Sequence, residues 1–478
     1  MVFSSVVFIF YFLPVFLIVY YLTGARNAVL LTGSAIFYVW GEGLYLFLLI
    51  GLLLINFWAG KQIDCSEGRR RKWLLFTFVS VNIGVLAVFK YSQFLVNIVT
   101  GALQMEPVHL GIHLPLGISF FIFQLISYLI EVNRRTIESE KSLVRLSTYV
   151  MMFPHLVAGP IVRYTDINSE LINRRVGPDK IGLGIQFFII GLCQKVMIAN
   201  SVAPAADHLF GLDPGSITTA AAWLGTLAYT LQIYFDFCGY SNMAIGLAFM
   251  LGFRFPKNFD YPYSSKSITE FWRRWHMSLS FWFRDYIYIP LGGSRGGEAS
   301  TIRNLVIVFF VTGLWHGAAW TFIVWGLFHG LFVVLERVFL KQLLDGIPAV
   351  FARIYTLAVV MTGWVFFRAE DFGQAWAVIK ALVGVEGRDV TWQPVMAWMT
   401  PETIAAMAIG MVVSFPVIPA LCNLLRFDSV KGTALPGGGG SQVLSVHAIP
   451  TYLLITGLVV CMFLLSGNTL NPFLYFRF

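Results

Sequence analysis

Two histidines in apolar surroundings are the residues best suited to chemistry. His316 lies in Thr312-Gly313-Leu314-Trp315-His316-Gly317-Ala318-Ala319-Trp320, inside a stretch that is otherwise apolar from residue 305 to 335. An ionisable side chain in such a run is costly and marks a candidate functional position. Imidazole titrates near neutral pH, which suits proton transfer. Gly313 and Gly317 flank it, so backbone or a substrate can approach the ring closely. His276 lies in a segment from Thr269 to Tyr286 that carries Glu270, Arg273, Arg274, Arg284 and Asp285. Each charge at mid-bilayer would cost about 2.5–3.5 kcal/mol, so this is no ordinary span. Trp272, Trp275, Phe281, Trp282, Phe283 and Tyr286 make it too aromatic for a free loop. A helix lying in the interface, or dipping toward a wet cavity, reconciles both and puts His276 on the face of Trp272, four residues earlier. On these residues alone His276 also fits an interfacial cap, and His316 a structural hydrogen bond between helices.

Other constellations say less. His329 follows His316 by thirteen residues; on one continuous helix it would sit about 220° round, off the same face. His208 and Asp213 make a His-x4-Asp pattern, a short match in a polar stretch of a chain with eight histidines. Leu291-Gly292-Gly293-Ser294-Arg295-Gly296-Gly297 is glycine-rich, but no Lys-Ser/Thr follows it as a P-loop requires. Asp236 and Glu336 read as buried acids paired to hold helices together. The cysteines at 65, 193, 238, 422 and 461 are far apart, and no ligand cluster for a metal is expected.

The elements that must position these side chains follow from composition. The chain has 478 residues, 57% hydrophobic and only 12% charged. A soluble chain has about twice that charged share, so its surfaces could not be covered. The excess of 33 basic over 25 acidic residues reads as basic loops flanking membrane spans, and no nucleic acid is expected. Apolar runs of spanning length recur at residues 2–22, 44–60, 73–89, 114–130, 182–199, 220–237, 318–335, 354–367, 404–425 and 452–465, with shorter ones at 28–40 and 304–315. The expected fold is all-α: a polytopic integral membrane protein of about ten to thirteen membrane segments, some short or re-entrant. Residues 2–22 read as a retained first span without a basic leader. The densest basic loop, residues 61–72, is expected in the cytoplasm, which puts residues 41–43 outside, Arg26 inside and the N-terminus outside. Residues 432–441, with Pro436 and four consecutive glycines, read as a flexible loop. No internal repeat is visible. Residues 1–478 are taken as a single membrane domain.

The sequence resembles the membrane-bound O-acyltransferase (MBOAT) family, with its nearest likeness to the bacterial branch that acetylates alginate. The matching stretches are Gln232-Ile-Tyr-Phe-Asp-Phe-Cys-Gly-Tyr-Ser-Asn-Met-Ala-Ile-Gly246, Ser267-Ile-Thr-Glu-Phe-Trp-Arg-Arg-Trp-His-Met-Ser-Leu-Ser280, Phe283-Arg-Asp-Tyr-Ile-Tyr-Ile-Pro-Leu-Gly-Gly293 and Trp315-His-Gly317 with its continuation to His329. Supporting likeness runs from the first residues to Phe473-Leu-Tyr-Phe-Arg-Phe478, with Phe153-Pro-His-Leu-Val-Ala-Gly-Pro160 between. Asn242 departs from the Asp usual in the acetylating branch, which puts any charge role there in doubt.

The resemblance implies a multi-helix enzyme whose thin buried centre is reached from the cytoplasm and from outside, with residues 267–331 as the catalytic core segment. The family's essential histidine falls on His316 and its other recurrent one on His276. Acetyl transfer from a thioester to a hydroxyl needs a base and donors for the tetrahedral oxyanion. His316 suits the base; His276 or the backbone near Gly313 and Gly317 suits the donors. No bound cofactor or metal is implied. The expected co-substrate is an acetyl donor such as acetyl-CoA or an acyl carrier, the acceptor an exported polysaccharide. The expected partners are the lipid bilayer and periplasmic acetylation proteins, and the expected site is the bacterial inner membrane. D-alanyl transfer to teichoic acid, and a non-catalytic transporter of acyl groups or polysaccharide, are the alternatives.

Overall fold

The computed structural model describes residues 2–385, 395, 397–424, 429–430, 434–435, 442–443, 446–447, 449–467 and 474. The expected flexible loop at 432–441 lies outside the described residues except for Ala434–Leu435. Apart from two pairings of two-residue strands, the described structure is helical. Among the described residues six helical stretches are long and apolar enough to cross a membrane: Tyr45–Asp64, Gly68–Ala102, Pro178–Phe210, Glu298–His316, Trp320–Gly346 and Ala349–Arg368. Shorter apolar helices are Phe8–Leu22, Ile118–Asn133, Phe372–Val383, Pro401–Val413 and Thr451–Gly467. Length and composition thus support six spans among the described residues; the ten to thirteen segments expected, some of them short or re-entrant, are not confirmed by these lengths.

The chain divides into two compact units. The first comprises residues 1–188, 241–256 and 435–441. It begins with α1 (Leu13–Leu22), α2 (Arg26–Glu42), α3 (Tyr45–Asp64) and α4 (Gly68–Ala102). The basic segment 61–72 is not a loop. Lys61 is in the last turn of α3, and Arg69 to Lys72 open α4 after a turn at residues 65–67. Cations at a helix N-terminus oppose its dipole; one of them, Arg71, is buried and donates to the carbonyl of Val132. Within the α3–α4 hairpin, Asn56 and Asn82 exchange side-chain amide hydrogen bonds at 3.1 and 2.8 Å. The 35 residues of α4 would reach about 52 Å, more than the hydrocarbon thickness. By contrast α5 (Ile118–Asn133) is buried on almost every face and is a core helix of this unit. α6 (Leu143–Met151), α7 (Phe153–Leu156) and α8 (Tyr164–Ile172) follow. His155 on α7 stacks on Phe255 at 5.1 Å and bonds the Tyr149 carbonyl through Nε2.

The second unit comprises residues 189–240, 257–434 and 442–478. The boundary falls inside α9 (Pro178–Cys193) and inside α11 (Thr219–Met250), with α10 (Ser201–Phe210) between them. Here buried Asp236 pairs with Lys195, so neither charge stands alone in an apolar setting. Then come α12 (Ile268–Arg274), α13 (Met277–Phe283), α14 (Glu298–His316), α15 (Trp320–Leu335), α16 (Lys341–Gly346), α17 (Ala349–Arg368) and α18 (Phe372–Val383). α14 and α15 form a tight hairpin. A Cβ on Gly313 would stand 2.5 Å from the Phe322 carbonyl oxygen, and one on Gly326 only 2.4 Å from that of Phe309. Small residues let the two backbones touch, as apolar helices without a hydrophobic driving force require.

Candidate active site

α12 is held at its N-terminus from two directions. Ser267 is the N-cap and accepts the Glu270 amide at 3.0 Å, while Glu270 accepts the Lys266 amide at 2.9 Å. The buried carboxylate of Glu336, from the end of α15, accepts the Ile268 amide and, at 2.8 and 2.7 Å, the amide and hydroxyl of Thr269. A carboxylate there satisfies donors that the helix leaves unpaired and complements its dipole.

The segment from Thr269 to Tyr286 is not one continuous helix. α12 ends at Arg274, and His276 takes a left-handed conformation (φ 42°, ψ 54°) before α13 begins. Such a conformation is rare for a non-glycine residue and is maintained by its surroundings. Asn258 supplies them: its carbonyl accepts the Met277 amide at 2.9 Å, and its Oδ1 accepts the Ser278 hydroxyl at 2.8 Å and the Ser278 amide at 3.3 Å. Four of the five charges in the segment are paired, and Arg273 is exposed. Arg274 meets Glu270 at 2.8 Å and Asp260 at 3.5 Å, and Arg284 meets Asp285 at 2.7 Å. The break removes His276 from the face of Trp272, and its side chain is fully buried.

Both histidines have a defined tautomer. His276 Nδ1 lies 3.1 Å from Asn258 Oδ1. That oxygen already takes donors from Ser278, so Nδ1 carries the proton and Nε2 the lone pair. His276 Nε2 is buried without a hydrogen-bond partner among the described residues. Burial, and secondarily the nearby His316, hold the pKa of His276 well below the ordinary imidazole value. In His316 the Nδ1 donates to the Thr312 carbonyl one helical turn back, at 2.8 Å, which leaves Nε2 as the unprotonated nitrogen. Trp315 is ring neighbour to both, 6.2 Å from His276 and 4.9 Å from His316. His316 is further enclosed by Trp325 at 4.6 Å and Phe367 at 5.6 Å.

Two expectations about this neighbourhood are corrected. His316 and His329 do not lie on one helix: α14 ends at His316, Gly317 and Ala319 are extended, and α15 returns alongside. Both rings therefore pack on Trp325, His329 at 5.4 Å. Sequence spacing on an assumed helix hid this. The glycines beside His316 admit α15, not a substrate, since a Cβ on Gly317 would fall 2.1 Å from the Phe322 ring. The Gly317 amide is also spent on the Gly313 carbonyl at 3.4 Å.

The remaining candidates stand elsewhere. His208 is on α10, with its ring tilted against that of Trp398 at 4.4 Å, while Asp213 opens the turn Pro214–Ser216. The glycine-rich turn is tied to α14 by Asn304, whose amide donates to the carbonyls of Leu291 and Gly293. At the N-terminal end of α12 lies a cavity of about 690 Å³ where Lys266, Arg273, Arg337 and Lys341 are balanced by Glu270, Glu298, Glu336 and Asp345. Asn258, Glu336 and Gly363 were not singled out for this site by sequence reasoning. A Cβ on Gly363 would lie 2.5 Å from His329 Nε2, so its absence makes the slot for that ring.

The geometry is that of two buried proton acceptors in one aromatic cluster. The family model for the membrane-bound O-acyltransferase family matches residues 35–367. The chain is 40% identical to the probable alginate O-acetylase AlgI of Azotobacter vinelandii, over 100% of both chains. It is 43% identical to the protein of the same name from Pseudomonas aeruginosa, over 89% of this chain and 82% of the relative. It is 35% identical to the peptidoglycan O-acetyltransferase of Helicobacter pylori, over 81% of this chain and 80% of the relative. On that match and those identities, the chain belongs to the membrane-bound O-acyltransferase family and is an acyltransferase.

Proposed function

We propose that this protein moves acetyl groups from a thioester donor on the cytoplasmic side toward hydroxyls of an exported, alginate-like polysaccharide. The observation that carries this reading is the pair of tautomers. Thr312 and Asn258 each take an Nδ1–H, so His316 and His276 present unprotonated Nε2 atoms, as a base requires. His316 Nε2 takes the proton of the acceptor hydroxyl as its oxygen bonds to the thioester carbon. The carbonyl oxygen becomes an oxyanion, the tetrahedral intermediate collapses with loss of the C–S bond, and His316 returns the proton to the leaving thiolate. Ester and thiol are the products. A polyhydroxylated acceptor can give a neighbouring hydroxyl to His276 Nε2, which orients it.

The names of relatives matched over four-fifths or more of this chain favour O-acetylation over D-alanyl transfer. In this reading residues 1–478 act as one domain of the bacterial inner membrane, residues 267–331 carry the chemistry, and periplasmic acetylation proteins complete delivery. The test is His316→Ala in cells that export the polymer. Loss of acetyl groups while export continues supports catalysis; joint loss of both favours a transporter; retained acetylation overturns the assignment.

A further inference from the structure

An acyl transfer at His316 needs donors for the developing oxyanion, and the groups first expected to supply them are spent. The Gly317 amide is bonded within its helix turn, and a Cβ on Gly326 would lie 2.9 Å from Gly313 N, so that amide is covered. His276 has its proton on Nδ1, engaged by Asn258, and its Nε2 is an acceptor.

Donors do remain around Trp325. Trp325 and His329 are each 0% exposed. Trp325 Nε1, both ring nitrogens of His329 and Trp272 Nε1 are buried with no hydrogen-bond partner among the described residues. Buried indole N–H groups ordinarily find a partner, and leaving one without is costly. These groups are also not scattered. The Trp272 ring lies 5.7 Å from Trp325 and 5.3 Å from His329, Trp325 lies 5.4 Å from His329, and His316 stands 4.6 Å from Trp325. Neutral imidazole carries one N–H, and His329 Nε2 faces the slot at Gly363 on α17, so His329 contributes a donor here as the Nδ1–H tautomer.

We propose that Trp325 Nε1–H and the N–H of His329, joined by Trp272 Nε1–H, receive the acyl carbonyl oxygen as it becomes an oxyanion. Trp325 and His329 are then catalytic residues of the transfer. The assignment rests on the acyl-transfer reading of His316. Indole donors suit an apolar centre, because they bring hydrogen bonds without a charge to desolvate. The transfer still balances as written above: the C–O bond forms, the C–S bond breaks, the proton passes through His316, and the donors only hold the oxygen while it is negative.

The test replaces Trp325 by 3-benzothienylalanine, which keeps the bicyclic shape and removes the N–H, with Trp325→Phe as a second variant. The readout is the initial rate of labelled-acetate incorporation into exported polymer per unit of protein in the membrane, together with the unfolding midpoint in detergent. The isostere is expected to fold normally and transfer about 10²-fold more slowly, the cost typical of one lost oxyanion donor. A rate within about threefold of wild type, or a loss that only follows lost protein in both variants, overturns the donor assignment. His316→Ala is run alongside. If it too acetylates at the wild-type rate, the underlying acyl-transfer reading has failed, and the donor assignment with it.

Discussion

Asn258 Oδ1 accepts the Nδ1–H of His276 at 3.1 Å, from eighteen residues earlier in the chain. That contact decides which nitrogen of His276 bears the lone pair. Asn258→Asp keeps an acceptor but places a carboxylate beside the ring, which raises the His276 pKa from its depressed value. The imidazolium then persists to higher pH. The acid limb of the pH–rate profile for acetyl transfer is expected to move upward, at similar abundance in the membrane. Asn258→Leu removes the oxygen that Ser278 also uses, and is expected to lower both abundance and activity.

His316→Ala is expected to abolish acetylation, since a positioned base is worth about 10²–10⁴-fold in rate. The ring is 4% exposed and packed against Trp325 and Phe367, so truncation also loosens the site. His316→Gln, which fills more of the space, separates the two effects. Residues acting as a unit are non-additive, so His316→Ala with His276→Ala should be little worse than His316→Ala alone. The measurement is polymer acetyl content beside a membrane immunoblot.

Glu336 is expected to act through α12 rather than on substrate. Glu336→Ala leaves the Ile268 and Thr269 amides without the buried carboxylate, at a cost of about 1–3 kcal/mol. Glu336→Gln retains an acceptor and should cost less. Unfolding midpoints in detergent check the order, wild type above Gln above Ala, with acetylation following the same order.

The α14–α15 hairpin should not tolerate a methyl group. Gly326→Ala drives a Cβ to 2.4 Å from the Phe309 carbonyl, and overpacking of this kind costs about 1–3 kcal/mol. Gly84→Ala in α4 meets nothing within 4 Å and should be neutral, or stabilising by up to about 1 kcal/mol. Detergent thermal melts of the two single variants decide whether close approach is the reason.

The turn after α3 is expected to face the cytoplasm. Native Cys65 there is exposed, whereas Ser66 is buried, so Cys65 itself is the reporter and Cys65→Ser the control. An impermeant thiol reagent should leave Cys65 unlabelled while the inner membrane is intact and label it once that membrane is opened. Labelling with only the outer membrane permeabilised reverses the orientation.

Some of this was legible in the residues themselves. A charged share of 12% cannot coat a soluble fold of 478 residues, so the membrane class follows from composition. His316 and His276 stood out because ionisable rings are expensive in apolar or aromatic runs. The Ser267 cap with Glu270 three residues on is local chemistry, and local chemistry is written in sequence. What tertiary structure decided depends on partners distant in the chain. The break at His276 needed Asn258, because a left-handed residue persists only where its neighbours hold it. The meeting of His316 and His329 on Trp325 needed the reversal at Gly317, and no helical period can show a reversal in advance. The glycines beside His316 looked like room for a substrate; only the returning helix shows that its own backbone occupies that room. Glu336, a buried acid in the sequence, becomes the anchor of α12 only once α15 has folded back to reach it. Each of these turns on which groups compete for one hydrogen bond or one ångström of space, and that competition exists only after the chain has packed.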